Sequence, residues 1–326
     1  GAIALNLLWI GQAILNRLSN SITVLYAIAI ESWTFLLCWV ELIGLTGYVV
    51  GIYWQLLTPS IPITVATFIS IIAVMIRLFN PPPSETEDST FPFFVYIFGW
   101  QLELLMAHVL SFTDNALFNL SIANLILGLI TQILGDYWQH RNRIHHLSNP
   151  WQILPLFYGI FGAVLRSSGS FDNWTGTSLF ILAFILIGVG RRSPELKPLT
   201  YMGIFGVSLA AYQLLFYNTY SAPTGEQLIA FAGLGTTIVY VYRLLSPQLI
   251  HYLHLSENEV KTIAHLHWAM SSCFLIASLS LPSELNSWLS LGIGIFLTRY
   301  AIFQGRYHSN AIEAEFWVYI GCLQAA

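Results

Sequence analysis

The chain has 326 residues, of which 56% are apolar, 15% aromatic and 9% charged, with a net charge of −4. A soluble domain carries roughly 25% charged residues, so the composition excludes an ordinary soluble fold. It also lacks any basic run able to follow a phosphate backbone, which excludes nucleic acid as a partner. The expected solvent is a lipid bilayer.

A helix needs about twenty mostly apolar residues to cross the hydrocarbon core, and lipid tolerates only closed backbone hydrogen bonding. On that rule residues 1–20 read as the end of a preceding hairpin. Hairpins then follow over 33–79, 93–135, 151–190, 199–245 and 263–304, and 316–326 begins another. Within them the full spans are 33–57, 61–79, 93–112, 116–135, 151–165, 174–190, 199–217, 227–245, 263–281 and 288–303. The fold class expected is therefore all-α, a polytopic integral membrane bundle of about ten full transmembrane helices. Partial spans stand at both ends, and the spans are arranged as repeated helical hairpins in one transmembrane domain. The stretch 80–92, NPPPSETEDSTFP, reads as an acidic, proline-rich, solvated loop. An apolar segment at each end suggests a piece of a longer protein.

Eleven of the twelve basic residues fall on one side of this topology, among them Arg17, Arg77, Arg141, Arg191, Lys197, Arg243, Lys261 and Arg299, with Arg166 alone opposite. By the positive-inside rule the eleven mark the cytoplasmic face. This fits a bacterial-type inner membrane or a thylakoid-like internal one. The hairpins look alike at the sequence level: Arg17-Leu-Ser-Asn20, Arg77-Leu-Phe-Asn80 and Arg243-Leu-Leu-Ser246 end second helices, while FFVYIFGWQLE, PLFYGIFGAVL and LTYMGIFGVSL lie in first helices. Internal duplication is the reading these matches favour.

Ionisable groups within a span are costly and are functional candidates by default. Glu41 and Glu103, each just behind a tryptophan, are the candidate ion or proton sites. His108, His265 and His267 are the candidate cofactor ligands, for a hydrophobic pigment or haem with aromatic neighbours. His265 and His267, two apart, cannot share a helical face. A possible metal set is His140, His145, His146, His251 and His254. The stretches HRNRIHH, HYLH and HLH loosely resemble the histidine boxes of membrane di-iron desaturases and hydroxylases, which implies iron held by imidazoles on the cytoplasmic side. The spacing His140-x4-His145-His146 departs from those boxes, and metal is not the expected ligand; lipid or a pigment is. Ser256-x-x-Glu259 reads as a capping box opening a helix. Cys38, Cys273 and Cys322 read as core packing, since they have no paired spacing.

No Walker loop, nucleophile elbow, HExxH, EF-hand loop or dinucleotide fingerprint occurs in the sequence. The function expected first is accordingly a non-enzymatic membrane scaffold or accessory subunit that binds other integral membrane proteins. A secondary transporter using the intramembrane carboxylates is the alternative, and a histidine-cluster iron oxidoreductase the third.

Overall fold

The computed structural model describes residues 21–79, 90–142, 149–167, 169, 172–281, 287–307 and 311–325. All the regular structure among them is helical: α1 Ser21–Tyr53, α2 Ile61–Phe79, α3 Thr90–Leu110, α4 Ala116–Asn142, α5 Pro150–Ser167, α6 Asn173–Gly190, α7 Lys197–Thr219, α8 Thr224–Leu244, α9 Ser246–Leu253, α10 Glu257–Ser278, α11 Ser287–Tyr307 and α12 Ala311–Ala325, with a 3-10 turn at Pro194–Leu196. Residues 1–20, His145, His146, Arg143 and most of the acidic loop lie outside the described residues.

Four helical stretches are long and apolar enough to cross a membrane: Leu36–Tyr53, Ala116–Arg141, Pro194–Thr219 and Thr224–Leu244. Shorter apolar helices occupy Ile61–Ile72, Val95–Leu110 and Trp174–Gly190. The sequence reading of about ten spans goes beyond this count. The difference has a physical source: α5 is 18 residues long with Pro155 inside it, and α10 opens with Glu257, Glu259 and Lys261. One boundary also differs. Residues 21–32, read as a connection, continue α1 upstream, because SITVLYAIAIES contains no glycine or proline to stop a helix.

Large apolar side chains stand exposed on many helices, including Val40 and Ile43 on α1, Phe205 on α7, and Leu266 and Ile276 on α10. Such outward faces are compatible with insertion in a membrane. They also correct the reading of the cysteines. Cys38 is buried, whereas Cys273 and Cys322 are exposed. An apolar exterior accepts a small sulfur side chain as readily as the core does, so an apolar setting in sequence does not tell inside from outside.

The chain divides into two compact units. The first comprises Gly1–Ser170 and Phe184–Val189, the second Phe171–Ala183 and Gly190–Ala326. In the first unit the broadest packing joins α4 to α5 and α2 to α3. Small residues make the α4–α5 seam. A Cβ on Gly128 would run into Pro155 O and Gly159 N, and one on Gly162 into Ser121 O. The two backbones are thus in contact, and Ser121 Oγ donates to Gly162 O at 2.8 Å across them. Leu42, Val49, Val74, Ile97, Leu104, Ala107 and Leu120 form this unit's apolar core.

In the second unit the broadest packing joins α8 to α10 and α11 to α12. Tyr240 OH and Trp268 Nε1 donate to Phe296 O and Leu297 O at 3.0 and 3.1 Å, holding α8 and α10 to α11. The capping box read at Ser256 and Glu259 is present at the start of α10.

Candidate functional site

The first unit carries a set of buried polar side chains between helices. On α1, Glu41 is half-buried. Ser70 Oγ of α2 donates to Glu41 Oε2 at 3.1 Å, and Gln101 Nε2 of α3 donates to Ser70 Oγ at 2.8 Å. Trp100 Nε1, next along α3, donates to Thr46 Oγ1 at 3.2 Å. Three helices are joined by polar bonds where aliphatic packing would otherwise suffice.

Glu103 follows Gln101 by two residues, roughly 200° further round the helix, and so faces α4 instead of α2. It is 7% exposed. Asn124 Nδ2 donates to Glu103 Oε1 at 2.9 Å and to Leu120 O at 3.0 Å. The other two oxygens of the pair, Glu103 Oε2 and Asn124 Oδ1, are buried without a hydrogen-bond partner among the described residues. Both are acceptors, and a buried acceptor left unmatched costs about 1–3 kcal/mol. Tyr158 OH of α5 donates to Gly99 O, one turn before Glu103 on α3, at 2.6 Å.

His108, one of the three cofactor candidates, is 1% exposed near the end of α3. Its Nε2 accepts the Ser60 amide at 3.3 Å, and its ring lies 5.9 Å from that of Phe112. The structure thus uses one ring nitrogen to tie down the α1–α2 connection.

Gln55 of that connection helps line a cavity of about 530 Å³, formed with the C-terminal ends of α1 and α5, the α3–α4 turn and the start of α4. Tyr53, Gln55, Asp114, Phe118, Leu165 and Arg166 are among its lining residues. Arg166 is 5% exposed and its guanidinium sits 5.4 Å from the centre of the Phe118 ring. A Cβ on Gly169 would meet Arg166 Nη1 at 2.6 Å, so the bare glycine leaves the guanidinium its room. Gln55 has φ 60°, an uncommon conformation for a residue with a side chain.

The remaining histidine candidates divide among different surroundings. In the second unit His267 lies between the rings of Tyr212 and Tyr242, at 6.4 and 6.2 Å, and its Nε2 is 3.0 Å from Ser208 Oγ. His265 instead meets Trp317 at 4.6 Å and Tyr300 at 5.9 Å. Of the metal set, His140, His251 and His254 are exposed. His254 ends α9 with φ 53°. No group of three or more His, Cys, Asp or Glu able to hold a metal occurs among the described residues, and His145 and His146 lie outside them.

Sequence reasoning found Glu41 and Glu103 but not their partners Ser70, Gln101 and Asn124. It treated Arg166 as a topology marker only, although a lone basic residue on the wrong side of a charge bias was itself a signal. No protein-family model matches this chain, and neither a curated protein nor a solved structure matches it significantly.

Proposed function

We propose that the chain is a secondary transporter whose first unit binds and releases a proton at Glu103. The supporting observation is the Glu103–Asn124 pair. A proton on Glu103 Oε2 turned toward Asn124 Oδ1 would satisfy both unmatched acceptors at once, closing a two-bond acid–amide pair with the Asn124 Nδ2 bond already in place. Loss of that proton leaves a charge in a low-dielectric setting, which a change of conformation or a bound substrate must compensate. That is the elementary step of proton-coupled transport.

In this reading α5, α10 and α11 span the membrane together with the four long and three shorter apolar helices, in about ten crossings. They form hairpins, with the Arg/Lys-rich loops in the cytoplasm. A scaffold or accessory-subunit role would rest on the exposed apolar faces. Any polytopic protein turns such faces to lipid, and they leave the acid–amide pair unexplained.

The test is proton movement in proteoliposomes under an imposed pH gradient, followed by an internal pH dye as amino acids, organic acids and nucleosides are added in turn. One class should collapse the gradient through the wild-type protein and fail to do so through Glu103→Gln. Full proton movement in that variant, or none with any class in the wild type, overturns the proposal.

A further inference from the structure

The cavity at the ends of α1, α3 and α5 holds two opposite charges in unlike settings. Arg166 is buried against Phe118, while Asp114 is exposed. Ile52, Leu117 and Leu165 give the wall an apolar part, beside the polar Gln55, Ser111 and Asn115. A volume of about 530 Å³ falls in the range of small-molecule sites.

From this juxtaposition we infer that the cavity binds a zwitterionic amino acid with an apolar side chain. The ligand's carboxylate meets the Arg166 guanidinium, whose planar fork matches it in two parallel hydrogen bonds. Its ammonium meets the carboxylate of Asp114, and the side chain lies on Ile52, Leu117 and Leu165. Arg166 has five N–H donors, so it can serve a ligand while keeping its contacts within the chain.

A simple anion would be attracted by Arg166 but repelled by Asp114, and a simple cation the reverse. A ligand carrying both charges uses both groups. Gly169 contributes by omission, since any side chain there would displace the guanidinium.

The cavity is also placed to communicate with Glu103. Leu117 on its wall and Asn124 lie on the same helix, seven residues or roughly 10 Å apart. Tyr53, also on the wall, donates its OH to Ala107 O at 3.0 Å, one turn beyond Glu103 on α3.

This inference rests on the transport reading only in calling the ligand a substrate; binding itself is tested at equilibrium with no gradient. The probe is radiolabelled L-leucine, with the full chain in mild detergent. Isocaproate, which lacks the ammonium, and isopentylamine, which lacks the carboxylate, serve as competitors. L-leucine should bind, and each singly charged analogue should compete at least about tenfold more weakly, the effect of losing one ion pair.

Asp114→Asn, a change at an exposed residue, should weaken L-leucine while strengthening isocaproate. Arg166→Lys should weaken both L-leucine and isocaproate. Binding is read at equilibrium without a gradient and transport by proton movement, so a failed transport reading and a failed site give different results. Absence of L-leucine binding to the wild type, or isocaproate binding as well as L-leucine, overturns the inference; so does an Asp114→Asn variant that treats the two ligands as the wild type does.

Discussion

Lys197, at the start of α7, donates to both carboxylate oxygens of Glu259 on α10, at 2.8 and 3.0 Å, across 62 residues of chain. Tyr201 OH and the Ser256 amide also donate to that carboxylate, each at 2.7 Å. One side chain therefore completes the cap of α10 and pins α7 to it.

The pair predicts an acid transition in the second unit. Donation from Lys197 first, then from the Ser256 amide and Tyr201, holds the Glu259 carboxyl down at about 2 against an ordinary 4.5. A depressed folded value means the stabilisation is complete above the ordinary value and is lost as pH falls from about 4.5 through about 2. Both partners remain about a third exposed, so solvent screens the pair and the effect is modest. Thermal unfolding in detergent should lose stability over that window in the wild type and much less in Glu259→Gln. An equal acid loss in the variant would place the titrating group elsewhere.

The end of α1 offers a second measurement. The amide of Gln55 donates to Ile52 O at 2.9 Å and that of Leu56 to Gly51 O at 2.8 Å, the two bonds of a Schellman cap. Glycine is the usual residue at the left-handed position, and a side chain there costs about 1 kcal/mol or more. Gln55→Gly should therefore stabilise the first unit by about 1 kcal/mol in denaturant unfolding. A destabilised variant would mean that the Gln55 side chain makes up for its backbone conformation through the cavity it lines.

Two glycines on α8 should respond oppositely to alanine. A Cβ on Gly235 would collide with Ser271 Oγ and Tyr212 OH, in the polar pocket beside His267. Gly235→Ala should cost about 1–3 kcal/mol, as overpacking does. Gly233 meets nothing closer than Ile293 at 3.4 Å, an ordinary contact. There alanine should gain up to about 1 kcal/mol from helix propensity. Melting temperatures of the two variants read the difference directly, and a shift of the same sign in both would contradict this packing.

Local signals were legible in the sequence. Ser256 and Glu259 announced their cap because the bonds it makes lie within one turn, and Glu103 stood out because a carboxyl among apolar residues is conspicuous in one dimension. Its partner was not legible. Asn124 lies 21 residues on, in a different helix, and no periodicity in α4 distinguishes it from a polar residue turned outward. The same limit separated His265 from His267. Their spacing said that they face apart, but only tertiary packing gave one to Tyr212 and Tyr242 and the other to Trp317. Burial was the least legible property of all. In a chain apolar on every side, neither Cys273 nor Arg166 carried any mark of which way it points.

The glycine seam between α4 and α5 has a consequence for charge. A helix of 18 residues held to its neighbours by smooth apolar contacts alone has little to stop it turning about its axis. Contact of Gly162 with the Ser121 carbonyl keys α5 at one azimuth. Arg166 follows Gly162 by four residues, about one turn, and inherits that azimuth. The aim of the unit's buried cation is thus set by a residue with no side chain, so a methyl group added at position 162 would act on Arg166 as a rotation, without touching it.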